Sequence, residues 1–199
     1  MMKSQNNVAI IILAAGASSR MGQPKQLLEW DNQPLIRRVA QTALAAQAEA
    51  VYVVVGGAGA AVTAALDNLP VQIVACPHYA TGQSASLRAG IAALATHTDA
   101  ALIMLGDQPF VTTAIIDALI GVWRESPATI VAPTFDGRRG NPVLFGQNMF
   151  AELLNVQGDQ GARTVLQSTA AHIRLVPFIG TRALEDIDTI DDYHRIQAL

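Results

Sequence analysis

Short, almost purely apolar runs alternate along the chain with longer stretches in which apolar residues recur every three or four positions. That rhythm predicts strands and helices in turn. The runs at 8–13, 51–55, 71–75, 100–105, 129–133 and 172–178 read as strands, and 141–145 is strand-like. The first, with Val8, Ile10, Ile11, Ile12 and Leu13, has no polar face, as befits a strand covered on both sides of a parallel sheet. Residues 34–48 predict a crossover helix, with Pro34 in its first turn and Leu35, Val39 and Ala43 on one face. Thr81 is placed to cap a helix whose Leu87, Ile91 and Leu94 face inward. Thr112 or Thr113 serves one running to Trp123, and Asp159 one beginning in GDQGAR. Thr189 and Asp192 form a capping box for a final helix. Strands alternating with helices predict a three-layer α/β/α sandwich with a mainly parallel, doubly wound, Rossmann-like sheet. A single domain over residues 1–199 is expected, with ligands above the carboxyl ends of the strands.

The segment after the first strand carries chemistry as well as fold. Ala14, Ala15, Gly16, Ala17, Ser18 and Ser19 offer backbone N–H groups unobstructed by bulk, and Arg20 and Lys25 add fixed positive charge, so a polyphosphate is the expected guest. The loop is not a Walker A motif, because Gly22 is followed by Gln23 and Pro24 before Lys25. It is not a dinucleotide fingerprint either, because Ser18 and Met21 stand where its second and third glycines belong. A second glycine turn, Gly57 to Val62, has the strand and helix a nicotinamide site needs. The next strand, however, ends at Cys76 without a ribose-gripping acid, so a tight strand-to-helix turn is expected there. The amides of Gly82, Gln83 and Ser84 lie in the first turn of their helix, where the dipole favours an anionic or polar guest. Asp107 ends the apolar run 100–105. With Thr112 or Thr113 better placed to cap the following helix, its carboxylate is free to hold a hard cation such as Mg²⁺. In an extended segment Asp186 and Asp188 point the same way.

Composition narrows the function classes. A formal net charge of −3, with 13 Lys and Arg scattered along 199 residues, argues against a nucleic-acid surface. The apolar runs fall well short of the roughly 18–20 residues that cross a bilayer, so no membrane partner is expected. Lys3 followed by an apolar run and Ala15, Gly16, Ala17 imitates a secretory signal, yet cleavage there would delete the first strand and half the phosphate cradle. One cysteine, Cys76, forms no intrachain disulfide, and a cytoplasmic monomer is the expectation. The histidines at 78, 97, 172 and 194 lack zinc-site spacing. Arg163 could meet an anionic acceptor, whereas Arg138 and Arg139 read as solvated charge.

LAAGASSRMGQPK, CPHYATGQSASLRAG, GDQP, GRRGNPVLF, GDQGAR and DIDTIDD occur in order, and this series resembles the MobA-like nucleotidyltransferases. The LAAG form is most similar to the molybdenum cofactor cytidylyltransferase branch. The resemblance implies a Mg²⁺-dependent enzyme that joins CMP from CTP to the phosphate of molybdenum-bound molybdopterin and releases pyrophosphate, for delivery to a molybdoenzyme. It implies that Leu13, Ala14, Ala15, Gly16, Arg20, Lys25, Gly82, Gln83 and Ser84 bind nucleotide, with Lys25, Asp107 and Arg20 catalytic. It also implies that Asp107 and Asp188 hold the metal, and that Arg139, Asn141 and Arg163 line the acceptor pocket. Where the family often carries Asn, this chain has Cys76. Two kinds of alternative stay open: a guanylyl or sugar-phosphate nucleotidyltransferase of the same fold, and a different class, either a non-catalytic nucleotide-binding chaperone module or a NAD-binding oxidoreductase.

Overall fold

The computed structural model describes residues 6–16, 21–169 and 172–197. The strands are β1 (Val8–Ala14), β2 (Glu29–Trp30), β3 (Gln33–Pro34), β4 (Ala50–Val55), β5 (Gln72–Ala75), β6 (Ala100–Leu105), β7 (Ile130–Phe135), β8 (Arg138–Arg139), β9 (Val143–Gly146) and β10 (Ile173–Phe178). The helices are α1 (Leu35–Leu44), α2 (Gly59–Ala65), α3 (Gln83–Ala92), α4 (Thr113–Glu125), α5 (Phe150–Leu154), α6 (Arg163–Ser168) and α7 (Ile190–Gln197). The main sheet runs β10-β7-β9-β6-β1-β4-β5, with the short β8 folded back on β7. β1 pairs in parallel with β4 and β6, β4 with β5, and β7 with β10; β9 is inserted antiparallel between β6 and β7. The mainly parallel α/β sandwich expected from the sequence is therefore present.

Alternation along β1 explains the layers. Ile10 and Ile12 face one hydrophobic cluster, shared with Leu35 and Val39 of α1, Ile116 and Leu119 of α4 and Ile196 of α7. Ala9 and Ile11 face the other, with Leu87 and Ile91 of α3, Leu153 of α5 and Val165 of α6. Successive side chains of a strand point to opposite faces, so an uninterrupted apolar run needs a helical layer on each.

Several local expectations are corrected. α1 begins at Leu35, because Pro34 belongs to a two-strand hairpin with β2, and it ends at Leu44, short of Ala48. That hairpin turns on Asp31 (φ 49°) and Asn32 (φ 62°), the positive φ pair that a tight two-residue turn demands. Thr81 does not cap α3. Its hydroxyl donates to the carbonyl of His78, and the capping position falls to Gly82 at φ 110°. Asp159 does not cap α6, which starts at Arg163 after Ala162 without a side-chain cap. Thr112 does cap α4, accepting from the Ile115 amide at 3.4 Å, and Thr189 and Asp192 form the expected reciprocal box. The Gly57 turn is tight, with the Gly59 amide donating to the Gly56 carbonyl at 2.9 Å.

Candidate nucleotide and metal site

The path of the chain selects the site. From β1 it crosses to β4 and β5 on one side, then returns through α3 to β6 on the other, so the crevice opens between the carboxyl ends of β1 and β6. Leu13 is in register with Leu105, and the Gly106 amide donates to the Leu13 carbonyl at 3.0 Å. The glycine loop after β1 and Asp107 after β6 therefore leave the sheet side by side. Gly106 fits closely here: a methyl group would meet the Leu13 carbonyl oxygen at 3.2 Å and the Ala14 Cβ at 3.3 Å.

A third segment is strapped across the same edge. The Ile187 amide donates to the Asp107 carbonyl at 3.2 Å, while the Ile187 side chain is completely buried with Ala183 in the core. Its two neighbours, Asp186 and Asp188, consequently both face the cleft, as their spacing anticipates. The fourth piece is Lys25, on a single 3₁₀ turn (Lys25–Leu27) whose Gln26 is buried and donates through Nε2 to the Gly16 carbonyl at 3.2 Å. The Lys25 ammonium pairs directly with Asp107 Oδ2 and lies 3.0 Å from Asp188 Oδ1. Partial burial is the largest single influence on this ammonium and works to lower its pKa. The fields and hydrogen bonds of Asp107 and Asp188 together outweigh it, so the pKa is raised above the ordinary 10.5 and Lys25 stays charged well into alkaline pH. Asp186 is pushed up from its usual 3.8, first by loss of hydration and then by repulsion from Asp188 and Asp107.

These residues line a cleft of about 800 Å³ that also includes Leu13, Ala15, Gly16, Tyr79, Gly82, Gln83, Ser86, Asp159 and Arg163. A smaller cavity of about 120 Å³ opens beside it, sharing Gln83 and Arg163 and adding Asn141, with walls of Leu87, Ile103, Val143 and Phe145. Of the sequence-derived site residues, Leu13, Ala15, Gly16, Lys25, Gly82, Gln83, Asp107, Asp188 and Arg163 converge on the main cleft, and Asn141 on its annex. Arg20, with Ala17, Ser18 and Ser19, lies outside the described residues. Ala14 and Ser84 are buried and line neither cavity; the α3 hydroxyl at the cleft is Ser86. Arg139 is exposed on the β8 hairpin and lines neither cavity.

The α3 amides are also not vacant. Asp159 Oδ1 accepts from the Gln83 amide at 3.1 Å, the Gly158 carbonyl accepts from the Ser84 amide at 3.3 Å, and the Tyr79 carbonyl accepts from the Gly82 amide at 3.3 Å. Sequence reasoning missed Tyr79, although the small residues opposite it were visible. A methyl group on Gly56 or Gly57 would come within 2.7 Å of its ring. Those glycines make room for a tyrosine rather than for a pyrophosphate.

The donor set suits a hard divalent cation. Asp107 Oδ1 is buried and accepts no hydrogen bond among the described residues, and Asp107 and Asp188 present carboxylate oxygens toward the same point. Among the described residues no cluster of three or more metal-ligating side chains is preassembled. A hard cation held by this pair would need further oxygen ligands from substrate or water.

The α/β sheet brings a small-residue loop, an ammonium and two carboxylates together at its switch point, where ligands of such sheets gather. The MobA-like NTP transferase domain matches residues 10–174, and the chain belongs to that family. It is 29% identical to nicotine blue oxidoreductase of Paenarthrobacter nicotinovorans, over 94% of both chains, and 27% identical to molybdenum cofactor cytidylyltransferase of Escherichia coli, over 92% of both. The crystal structure of Rv0371c from Mycobacterium tuberculosis is similar with a TM-score of 0.89 and 30% identity, covering 98% of each chain. A manganese complex of Rv0371C is similar with a TM-score of 0.86 and 27% identity, over 98% of this chain and 99% of that one. No helix among the described residues is long and apolar enough to cross a membrane.

Proposed function

We propose that this protein is a divalent-metal-dependent cytidylyltransferase that transfers CMP from CTP to the phosphate of a molybdopterin-type acceptor, with release of pyrophosphate. The observation that carries the reading is the meeting of Lys25, Asp107 and Asp188 beside the loop at Gly16. Nucleotidyl transfer requires the α-phosphate to be held in line with an attacking oxygen while charge on the departing pyrophosphate is neutralised. The loop amides and Lys25 grip phosphate oxygens, and Arg20 adds charge to the same task. Asp107 and Asp188 would hold Mg²⁺ or a similar cation, which would supply neutralisation of phosphate charge and polarisation of the α-phosphate. Arg163 and Asn141, at the junction of cleft and annex, orient the acceptor. A phosphate acceptor is already anionic, so no strong general base is needed. Ala15 lines the cleft, and its methyl group, which limits how closely a base approaches the loop, supports the reading of CTP as donor.

The relative named as an oxidoreductase supports a second reading, the NAD-binding oxidoreductase. A pyrophosphate-release screen with the four NTPs, Mg²⁺ or Mn²⁺ and molybdopterin separates the two. Release with CTP preferred is the expected result. Preference for GTP overturns the cytidylyl assignment. Absence of release with every NTP, together with saturable NAD(P)H binding by fluorescence, replaces the transferase by the oxidoreductase.

A further inference from the structure

The described walls of the main cleft carry four carboxylates, Asp107, Asp159, Asp186 and Asp188, against the cations Lys25 and Arg163. Such a surface attracts metal ions and repels a triphosphate. The lysine, however, occupies the position between the two carboxylates best suited to a metal: it contacts Asp107 Oδ2 and sits 3.0 Å from Asp188 Oδ1. An ammonium and a dication compete for this carboxylate pair, because both are held by the same negative charge and repel each other across it.

Resting on the metal and nucleotide reading of this cleft, we infer that Lys25 is an internal counter-ion that blocks the Asp107–Asp188 pair against free divalent metal and leaves only when an anionic polyphosphate draws it away. Metal and nucleotide then enter as a unit. The root of the side chain supports such a swing. Gln26 is buried and tied to the Gly16 carbonyl, so the 3₁₀ turn stays anchored to the phosphate loop while the four-carbon stem of Lys25 reorients. The destination of the ammonium lies next to its root, because the loop that would hold the phosphates is the one Gln26 grips. With no third metal-ligating side chain clustered at the pair among the described residues, a cation there would draw further ligands from phosphate oxygens, which would strengthen the same coupling. By linkage, whatever factor the polyphosphate contributes to metal affinity, metal contributes to polyphosphate affinity.

The test is Mn²⁺ binding followed by electron paramagnetic resonance, on the full chain and without any turnover. Wild-type protein is expected to bind Mn²⁺ alone at least tenfold more weakly than Lys25→Met, while adding α,β-methylene-CTP tightens Mn²⁺ binding by wild type far more than by the variant. Lys25→Gln, which keeps a hydrogen-bonding arm toward Asp107, serves if the Met variant does not fold, with the same expectation. Equal Mn²⁺ affinity in wild type and either folded variant overturns the counter-ion role. Because that comparison uses metal alone, it stands or falls separately from the choice of nucleotide, which the pyrophosphate screen decides.

Discussion

Replacing Asp107 by Asn is the sharpest perturbation of the proposed chemistry, because it keeps shape and removes only charge. The side chains of Lys25 and Asp107 are 16% and 15% exposed, so their pair lies between the surface and fully buried cases. A unit-charge pair at about 4 Å in an effective dielectric of about 20 is worth ~4 kcal/mol before dehydration is counted. Lys25 keeps Asp188 at 3.0 Å, so the ammonium is not orphaned, and the net cost to folding should be about 1–2 kcal/mol. For a chain of this size that lowers Tm by roughly 2–8 °C and leaves a protein of ordinary stability overwhelmingly folded at 25 °C. Catalysis should suffer far more. Losing a metal-holding carboxylate removes about 3–4 kcal/mol of transition-state stabilisation, a fall of roughly 10²–10³-fold in kcat/KM. The assay pairs steady-state pyrophosphate release with thermal unfolding by circular dichroism. A kcat/KM within a few-fold of wild type would refute the metal role. Loss of the cooperative transition would refute the separation of stability from catalysis.

Lys25→Ala should lower kcat/KM for pyrophosphate release by at least tenfold, ~1.4 kcal/mol, and an unchanged value counts against phosphate contact by this residue. Gly82→Ala should cost about 2–4 kcal/mol by denaturant unfolding, since a methyl group at φ 110° would meet the Gly158 carbonyl oxygen at 2.7 Å and the Asp159 Cα at 3.0 Å; a neutral result would mean the 158–159 loop does not hold this position. Asp186→Asn should raise Tm at pH 7. The folded-state pKa is raised, so the native state gains relative stability from the proton at low pH and bears the full penalty of the charged carboxylate above that raised value. The advantage of the Asn variant should shrink as pH falls toward the ordinary value of 3.8, and a gain that persists there argues for packing instead of charge.

Much of the architecture was legible because it is local. Apolar runs without a polar face gave the central strands, and the cap at Thr112, one of two candidates, and the box at Thr189 marked helix starts correctly, since a cap is a contact between residues three apart. Where prediction failed, a distant segment had intervened. The terminus of α3 looked open from its own residues, yet the Gln83 amide is taken by Asp159, 76 positions away, which is also why Asp159 is absent from the start of α6. Arg139, which its own residues marked as solvated charge and the resemblance assigned to an acceptor pocket, is exposed on β8, paired with Thr134 of β7.

The order of residues supplied the reagents: a small-residue loop behind a buried strand, one near-terminal lysine, and single carboxylates delivered at the ends of extended segments. Their meeting belongs to the folded chain. Lys25 and Asp188 are 163 positions apart, and no periodicity encodes their contact. It arises from parallel register between β1 and β6 and from one buried isoleucine, Ile187, that turns its two acidic neighbours toward the cleft.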